Sequence, residues 1–460
     1  MAEIMHGRKA LSSNPLKSSA PLGASLAYLG MAGSVPLLHG SQGCTSFALT
    51  LAVRHFKEAI PMQTTAMDEI ATILGGPSNL EEALLNLTKR MKPSFIGIAS
   101  TALVETRGED IVGALKLIVA ARPELQGVKI VYASAPDYDG AMEDGWSKAT
   151  AAIVEALVEP AEGAAAASPF VNLLPGVNQT PADIEELVEL IESFGLGVVV
   201  LPDISGSLDG VVPDAYTATT FGGTTVQQVA GMSRALHTIA IGEHMRRPAE
   251  ILRDRFGVAG TLFPTLTGLE PNDRLISLLI ALSGRPAPAR LRRQRSQLVD
   301  AMLDGHFHFG GRRVAIAADP DQLYGLSMVF GGMGAEIVTA VSSTSQSPLL
   351  ARVPAAQVVV GDLSDFEDLA AAAGAELLVT NSHGRQAAER LGLPHLRVGF
   401  PIFDRLGTAH RRLVGYRGTR DFIFDVANIV LANLPHHHPE DFARIPGEEA
   451  HDGHAVAATH

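Results

Sequence analysis

One cysteine and one tryptophan occur in 460 residues, and aromatic side chains make up only 5 %. A lone thiol excludes an internal disulfide and with it the stapled frameworks of small secreted domains, so a reducing, cytoplasmic setting is expected. Charge is sparse at 18 %, and basic residues are fewer than acidic ones, leaving a formal net charge of -13. That balance repels phosphate backbones and anionic lipid, so neither nucleic acid nor a membrane surface is an expected partner. Long apolar runs are lacking as well. Arg8, Lys9 and Lys17 precede an apolar stretch from Pro21 to Leu38 in the order of a secretion signal, but Pro21, Gly23, Gly30, Gly33 and Pro36 interrupt it. A short amphipathic helix at best is expected there, in a soluble protein.

What is present is apolar bulk. Hydrophobic residues reach 46 %, enough for a packed core in each of about three domains. Short β-rich runs recur at Phe95–Ala99, Val128–Ala133, Val171–Leu174, Gly197–Leu201, Thr238–Ile241, Val314–Ala317, Val358–Val360 and Leu377–Val379, with helical patterns between them. This alternation predicts an α/β protein of doubly wound, Rossmann-like domains with parallel sheets. Helix starts are legible: Thr180 before Pro181 opens an apolar stripe of Ile184, Leu187, Val188 and Ile191, and Ser364 with Glu367 has capping-box spacing. Composition shifts at Glu159–Ser168 and Gly284–Gly311 divide the chain into 1–165, 166–305 and 306–404, with 405–460 returning to the first domain through a helix near Asp421–Leu434.

Cys44 stands in His39-Gly40-Ser41-Gln42-Gly43-Cys44-Thr45, a glycine-rich turn leading into a helical pattern with Phe47, Leu49, Leu51 and Val53. A helix N-terminus favours a thiolate, and glycines let the backbone approach a bulky inorganic ligand. The plain alternative is a buried, inert cysteine. Iron–sulfur centres take four thiolates or close substitutes, so any cluster on a single cysteine must be shared across an interface.

Lys9-Ala10-Leu11, Asn14-Pro15, Pro21-Leu22-Gly23-Ala24, His39 to Cys44, Arg54 to Glu58, Gly75-Gly76 and Ser100 to Asp110 together closely resemble the start of the β subunit in the nitrogenase component 1 family. Phe221 to Thr225, Asn381 to Gly384 and Gly399-Phe400-Pro401 resemble its cofactor-assembly branch. The departures carry information too. Where the catalytic β subunit has its other cluster cysteines this chain has Ser19 and Ala102, and Asp137 stands at an auxiliary serine position.

The resemblance implies a scaffold more than a catalyst. Cys44 would ligate a 4Fe-4S cluster completed by three cysteines of a NifE partner in an α2β2-type heterotetramer. The precursor of the iron-molybdenum cofactor would be held mainly by that partner, with NifH docking to supply electrons and molybdenum and NifB delivering the precursor. Asp137 is read as a turn residue before it is read as a ligand. Two alternatives stand beside this: a catalytic nitrogenase-like β subunit, and a Rossmann-fold nucleotide- or sugar-binding enzyme.

Other candidates are weaker. Gly222, Gly223 and Thr224 open a helix and, by the resemblance, could line a cofactor cavity, although Thr224 could equally be only an N-cap; without GxxxxGK[ST] the loop is no nucleotide P-loop. Asn381 and His383 follow a strand, where open α/β sheets present ligand loops, and Asn381 could instead cap the next helix. Arg290, Arg292, Arg293 and Arg295 read as a solvated helix face. His436, His437, His438, His451, His454 and His460 lack ligand spacing and read as surface or tail residues.

Overall fold

The computed structural model describes residues 2–7, 9, 11–69, 72, 77–161, 169–212 and 214–433. The six C-terminal histidines, Gly75-Gly76 and most of the Glu159–Ser168 boundary lie outside the described residues. The fold is α/β, with three wholly parallel sheets. The first, in the order β3-β2-β4-β5, comprises β2 (Ser34–His39), β3 (Gln63–Thr64), β4 (Phe95–Ser100) and β5 (Lys129–Ala133). The second, β7-β6-β8-β9, comprises β6 (Phe170–Leu174), β7 (Gly197–Val200), β8 (Thr238–Ile241) and β9 (Gly260–Phe263). The third, β1-β12-β11-β10-β13-β14, joins β1 (Glu3–His6) to β10 (Arg313–Ala318), β11 (Glu336–Ser342), β12 (Gln357–Val360), β13 (Leu377–Thr380) and β14 (His395–Arg397).

Period-two patterning explains why these strands are buried on both faces. In β2, Val35 and Leu37 enter a cluster with Leu80, Leu84 and Ile118, while Leu38 points into the core shared by the three units. In β10, Ala315 and Ala317 face one layer and Val314 and Ile316 the other. Helices therefore cover both sides, as parallel sheets require.

Three expectations are corrected. The stretch Pro21–Leu38 holds a helix, Ala20–Leu29, buried on every side, followed by the buried strand β2. It is not amphipathic, because it has no solvent face. Second, the opening residues belong to the third sheet and not to the first domain: Glu3–His6 pairs in parallel with Gln357–Val360. Third, the returning helix spans Gly415–Ala432 and docks on the second unit and the long helix Ala289–Phe309, not on the first. Leu413 and Val414 N–H groups donate to Asp183 at 2.6 and 3.0 Å, and Arg417 Nε donates to Glu186 at 3.0 Å.

Caps follow local chemistry. Thr180 caps its helix, as its place before Pro181 suggests, and forms with Asp183 a reciprocal capping box at 3.1 Å each way. The cap of the helix Leu363–Ala372 is Asp362 and not Ser364, since its carboxylate accepts from the Ser364 and Asp365 N–H groups at 2.9 Å. The other Asp362 oxygen accepts from Ser13 N–H at 2.7 Å, tying the N-terminal segment down. These donors hold the Asp362 carboxyl well below its usual range, against the effect of its burial.

The helices Ala20–Leu29 and Met142–Leu157 cross at backbone contact. A Cβ on Gly23 would lie 2.0 Å from the Met142 carbonyl oxygen, and one on Gly145 would lie 1.8 Å from that of Ala20. Helix propensity alone favours Gly145→Ala by about 1 kcal/mol, whereas overpacking costs about 1–3 kcal/mol and here the obstacle is main chain. With the obstacle main chain, the cost lies at the top of that range, and Gly145→Ala is expected to lower the free energy of urea unfolding by about 2 kcal/mol net; an unchanged or raised midpoint would show that the two helices do not touch.

Candidate functional site

In each sheet the strand order reverses once, between β2 and β4, between β6 and β8, and between β10 and β13. Open α/β sheets present ligands at the carboxyl ends of strands flanking such a reversal. Cys44 follows β2, Ala102 follows β4, and His383 follows β13.

The base under Cys44 is rigid. His39 is fully buried and its Nδ1 lies 3.0 Å from the Thr65 hydroxyl. The Thr101 hydroxyl donates to the His39 carbonyl at 3.1 Å, and a Cβ on Gly40 would strike that hydroxyl at 2.2 Å, so only glycine fits between them. The helix Gln42–Phe56 starts immediately, with Ser41 as its N-cap. Cys44 occupies its first turn and is exposed, 3.4 Å from the Ser41 hydroxyl. The alternative of a buried, inert thiol therefore fails. Next to it Phe47 is 78 % exposed, an unusual amount for a phenylalanine on an ordered helix.

Cys44 and Phe47 form one wall of a recess completed by Lys17, Ser19, Asp137, His383 and Pro401. Positions far apart in the chain meet there. The Ser19 hydroxyl is engaged as a helix cap, accepting from Leu22 N–H at 3.3 Å. The Asp139 N–H donates to the Pro136 carbonyl at 3.0 Å, closing a turn around Asp137, and Lys17 Nζ donates to the Asp137 main-chain oxygen at 2.7 Å. His383 is half-buried and packs edge-on to Phe403 at 5.2 Å. Burial, and then the nearby Arg54 guanidinium, lower its pKa and keep the ring neutral. Ala102 begins a short helix and is not among the residues lining the recess.

The remaining candidates lie elsewhere or serve the chain itself. Asn381 accepts from His383 N–H at 3.0 Å and donates to the Phe400 carbonyl at 3.0 Å, fixing the loop that carries His383. Gly222, Gly223 and Thr224 form a seam between the first and second units. A Cβ on Gly222 would meet the Gly206 carbonyl oxygen at 1.9 Å, and Gly223, at φ +101°, packs on Gly30. Thr224 N–H donates to the Gly30 carbonyl at 2.9 Å and its hydroxyl to that of Val200. The helix cap there is Thr225 and not Thr224. Arg292 and Arg293 are exposed, while Arg290 and Arg295 pair with Glu189 and Asp273 at 3.5 and 2.8 Å.

A family model described as nitrogenase component 1 type oxidoreductase matches residues 19–431. The chain belongs to the nitrogenase component 1 family. Over 434 residues, 94 % of both chains, it is 56 % identical to the nitrogenase iron-molybdenum cofactor biosynthesis protein NifN of Mesorhizobium japonicum. It is 40 % identical to the protein of the same name from Klebsiella pneumoniae across the full length of both. Among solved structures it superposes on a chain titled nitrogenase Cp1 at pH 6.5 with a TM-score of 0.88 at 30 % identity, covering 95 % of this chain and 98 % of that one.

One constellation in this family member has no signature in the sequence. Glu143, His244 and Asp321, one from each unit, bring their ligand-type atoms within 4.8 Å of one another. Hydrogen bonds already occupy them. His244 Nδ1 lies 2.6 Å from Asp321 Oδ2, and its Nε2 accepts from Val177 N–H at 3.2 Å, which makes the ring neutral with its proton on Nδ1. Glu143 Oε1 accepts from Asn178 at 2.7 Å and from Asp321 N–H at 3.1 Å. Such an arrangement clamps three units together. Separations of 101 and 77 positions leave no motif; the available signal was acid and histidine beside carboxyl strand ends.

Burial, and then the Asp321 and Asp319 carboxylates, raise the Glu143 pKa well above its usual range, and burial raises Asp319 to about 6. A carboxyl whose folded pKa exceeds the unfolded value contributes its stability fully below about pH 4 and loses it as pH rises through the folded pKa. The share of Glu143 and Asp319 in the stability is therefore expected to fall as pH rises from about 4 towards neutrality, while histidines held neutral by burial, such as His55 and His383, act in the opposite sense over the same window. The difference in melting temperature between the native protein and Glu143→Gln, which mimics the protonated carboxyl, is accordingly expected to shift in favour of the variant as pH rises; a difference independent of pH would rule out Glu143 as a source.

Proposed function

We propose that this chain is one subunit of a scaffold on which the nitrogenase iron-molybdenum cofactor is assembled, and that Cys44 is its single thiolate to a 4Fe-4S cluster shared with a NifE-type partner. The observation that carries this reading is the exposed position of Cys44, in the first turn of a helix and on the wall of an open recess. The donor set fits one share of a cluster and no more. Ser19 caps a helix, Asp137 sits in a closed turn, and Ala102 has no donor atom. Four thiolates are needed, so three must come from across an interface.

Each residue of the recess then has a task. Cys44 supplies sulfur from the first turn of the helix Gln42–Phe56, exposed on the wall of the recess. Phe47, exposed beside it, excludes water once a partner surface closes over the recess. Neutral His383 lines the same space without adding charge. The cluster, when bound, supplies a store for one electron at a time. NifH docking for electrons and molybdenum, and NifB as precursor donor, belong to the same reading, with the precursor held mainly by the partner. The names of the full-length relatives support this assignment.

The rival reading, a catalytic β subunit with an eight-iron cluster, needs more thiolates than a chain with one cysteine offers. The test is iron and sulfide analysis of the complex co-purified with its partner, native against Cys44→Ala. Loss of about four irons per subunit pair is expected, with retained assembly shown by gel filtration. Unchanged iron content would overturn the proposal, and an eight-iron paramagnetic signature in the native complex would favour the catalytic rival.

A further inference from the structure

A cavity of about 500 Å³ lies at the carboxyl end of β9, where the second unit, the third unit and the helix Gly415–Ala432 meet. It shares no lining residue with the Cys44 recess. Its size falls within the range of small-molecule sites. Its walls are apolar where Met302, Met328, Val329, Met333 and Ile423 converge, and methionine is the side chain that best adapts to a ligand's shape.

Two cations border this apolar space. Arg274 stands over the Phe263 ring at 5.7 Å and Arg352 over the Tyr324 ring at 5.1 Å. Stacking on an aromatic face satisfies the plane of a guanidinium and leaves its N–H edge free. Neither arginine forms an ion pair among the described residues, although the chain carries 49 acidic against 36 basic residues. The nearest acids are otherwise disposed. Asp273 is taken by Arg295 at 2.8 Å and by the Tyr416 hydroxyl at 2.6 Å, while Glu270, exposed, has no partner among the described residues.

We propose that this cavity binds a small organic anion with an apolar body, its acidic head held by Arg274 and Arg352 and its body by the methionine-lined floor. The two guanidinium edges supply charge-assisted, in-plane donors of the kind that recognise carboxylate and sulfonate groups. Glu270, at the same cavity, opposes a second negative charge and so favours monoanions over dianions.

The probe is 1-anilinonaphthalene-8-sulfonate, titrated by fluorescence into the full-length protein, with octanoate and octanol as competitors. One saturable site is expected, with octanoate displacing the probe and octanol doing so at least about tenfold less well. Arg274→Gln and Arg352→Gln are each expected to weaken octanoate by about tenfold, Glu270→Gln to strengthen it, and Arg293→Gln, on an exposed helix face, to leave it unchanged. Circular dichroism melting checks that each variant folds, and Glu270→Gln gives an effect of opposite sign that misfolding cannot imitate. Equal displacement by octanol and octanoate, or affinities indifferent to Arg274, Arg352 and Glu270, would overturn the proposal.

Discussion

The helix Met142–Leu157 touches its neighbour main chain to main chain, and this contact governs the relative placement of all three units. Gly23 and Gly145 leave no room for side chains at the crossing, so the helix cannot slide without breaking backbone packing. From that fixed axis its polar residues reach outward. Trp146 donates to the Pro175 carbonyl at 3.0 Å and Ser147 to that of His244, both in the second unit. Glu143 accepts from Asn178 of the second unit and from the Asp321 N–H of the third. One helix of the first unit is thereby anchored to both others through groups that burial makes expensive to leave unpaired.

The Cys44 recess depends on the same economy of fixed base and free tip. The base beneath the thiol is tied by hydrogen bonds: the His39 ring and the Gly40 N–H to Thr65, the His39 carbonyl to Thr101, Asn381 to Phe400. What lines the open recess above it includes the sulfur, the phenylalanine ring beside it and a neutral imidazole. On the proposed reading, a single sulfur donor beside exposed apolar surface is one share of a metal centre that another chain completes.

The parallel α/β class was legible because most strands are short β-branched runs between helical patterns, and the structure returns Phe95–Ser100, Thr238–Ile241 and Leu377–Thr380 nearly as the runs suggest. The local setting of Cys44, a glycine turn opening into a helix, was legible in the run His39 to Thr45. Ala20–Leu29 was misread because a helix buried all round has no periodicity to betray it, and β2 because Pro36 sits within it. The cap at Asp362 was missed since a serine and glutamate two positions on offered familiar spacing, while a carboxylate accepts two N–H groups at once. Glu143, His244 and Asp321 could not be joined from sequence, because only the docking of three sheets makes them neighbours. The tail helix was placed with the first unit when its arginines and Tyr416 seek acids of the second.

The strand Glu3–His6 has no partner until Gln357–Val360 exists. On the ribosome these residues emerge before their partner and must wait while more than three hundred others are added, and Ser13 must wait for Asp362. The segment Pro15–Ser19, which lines the space around Cys44, runs on directly from this anchor. Its final position is thus settled late in synthesis, after the glycine turn that presents the sulfur has been free to form, so a nascent chain exposes the thiol before the surroundings that will frame it are complete.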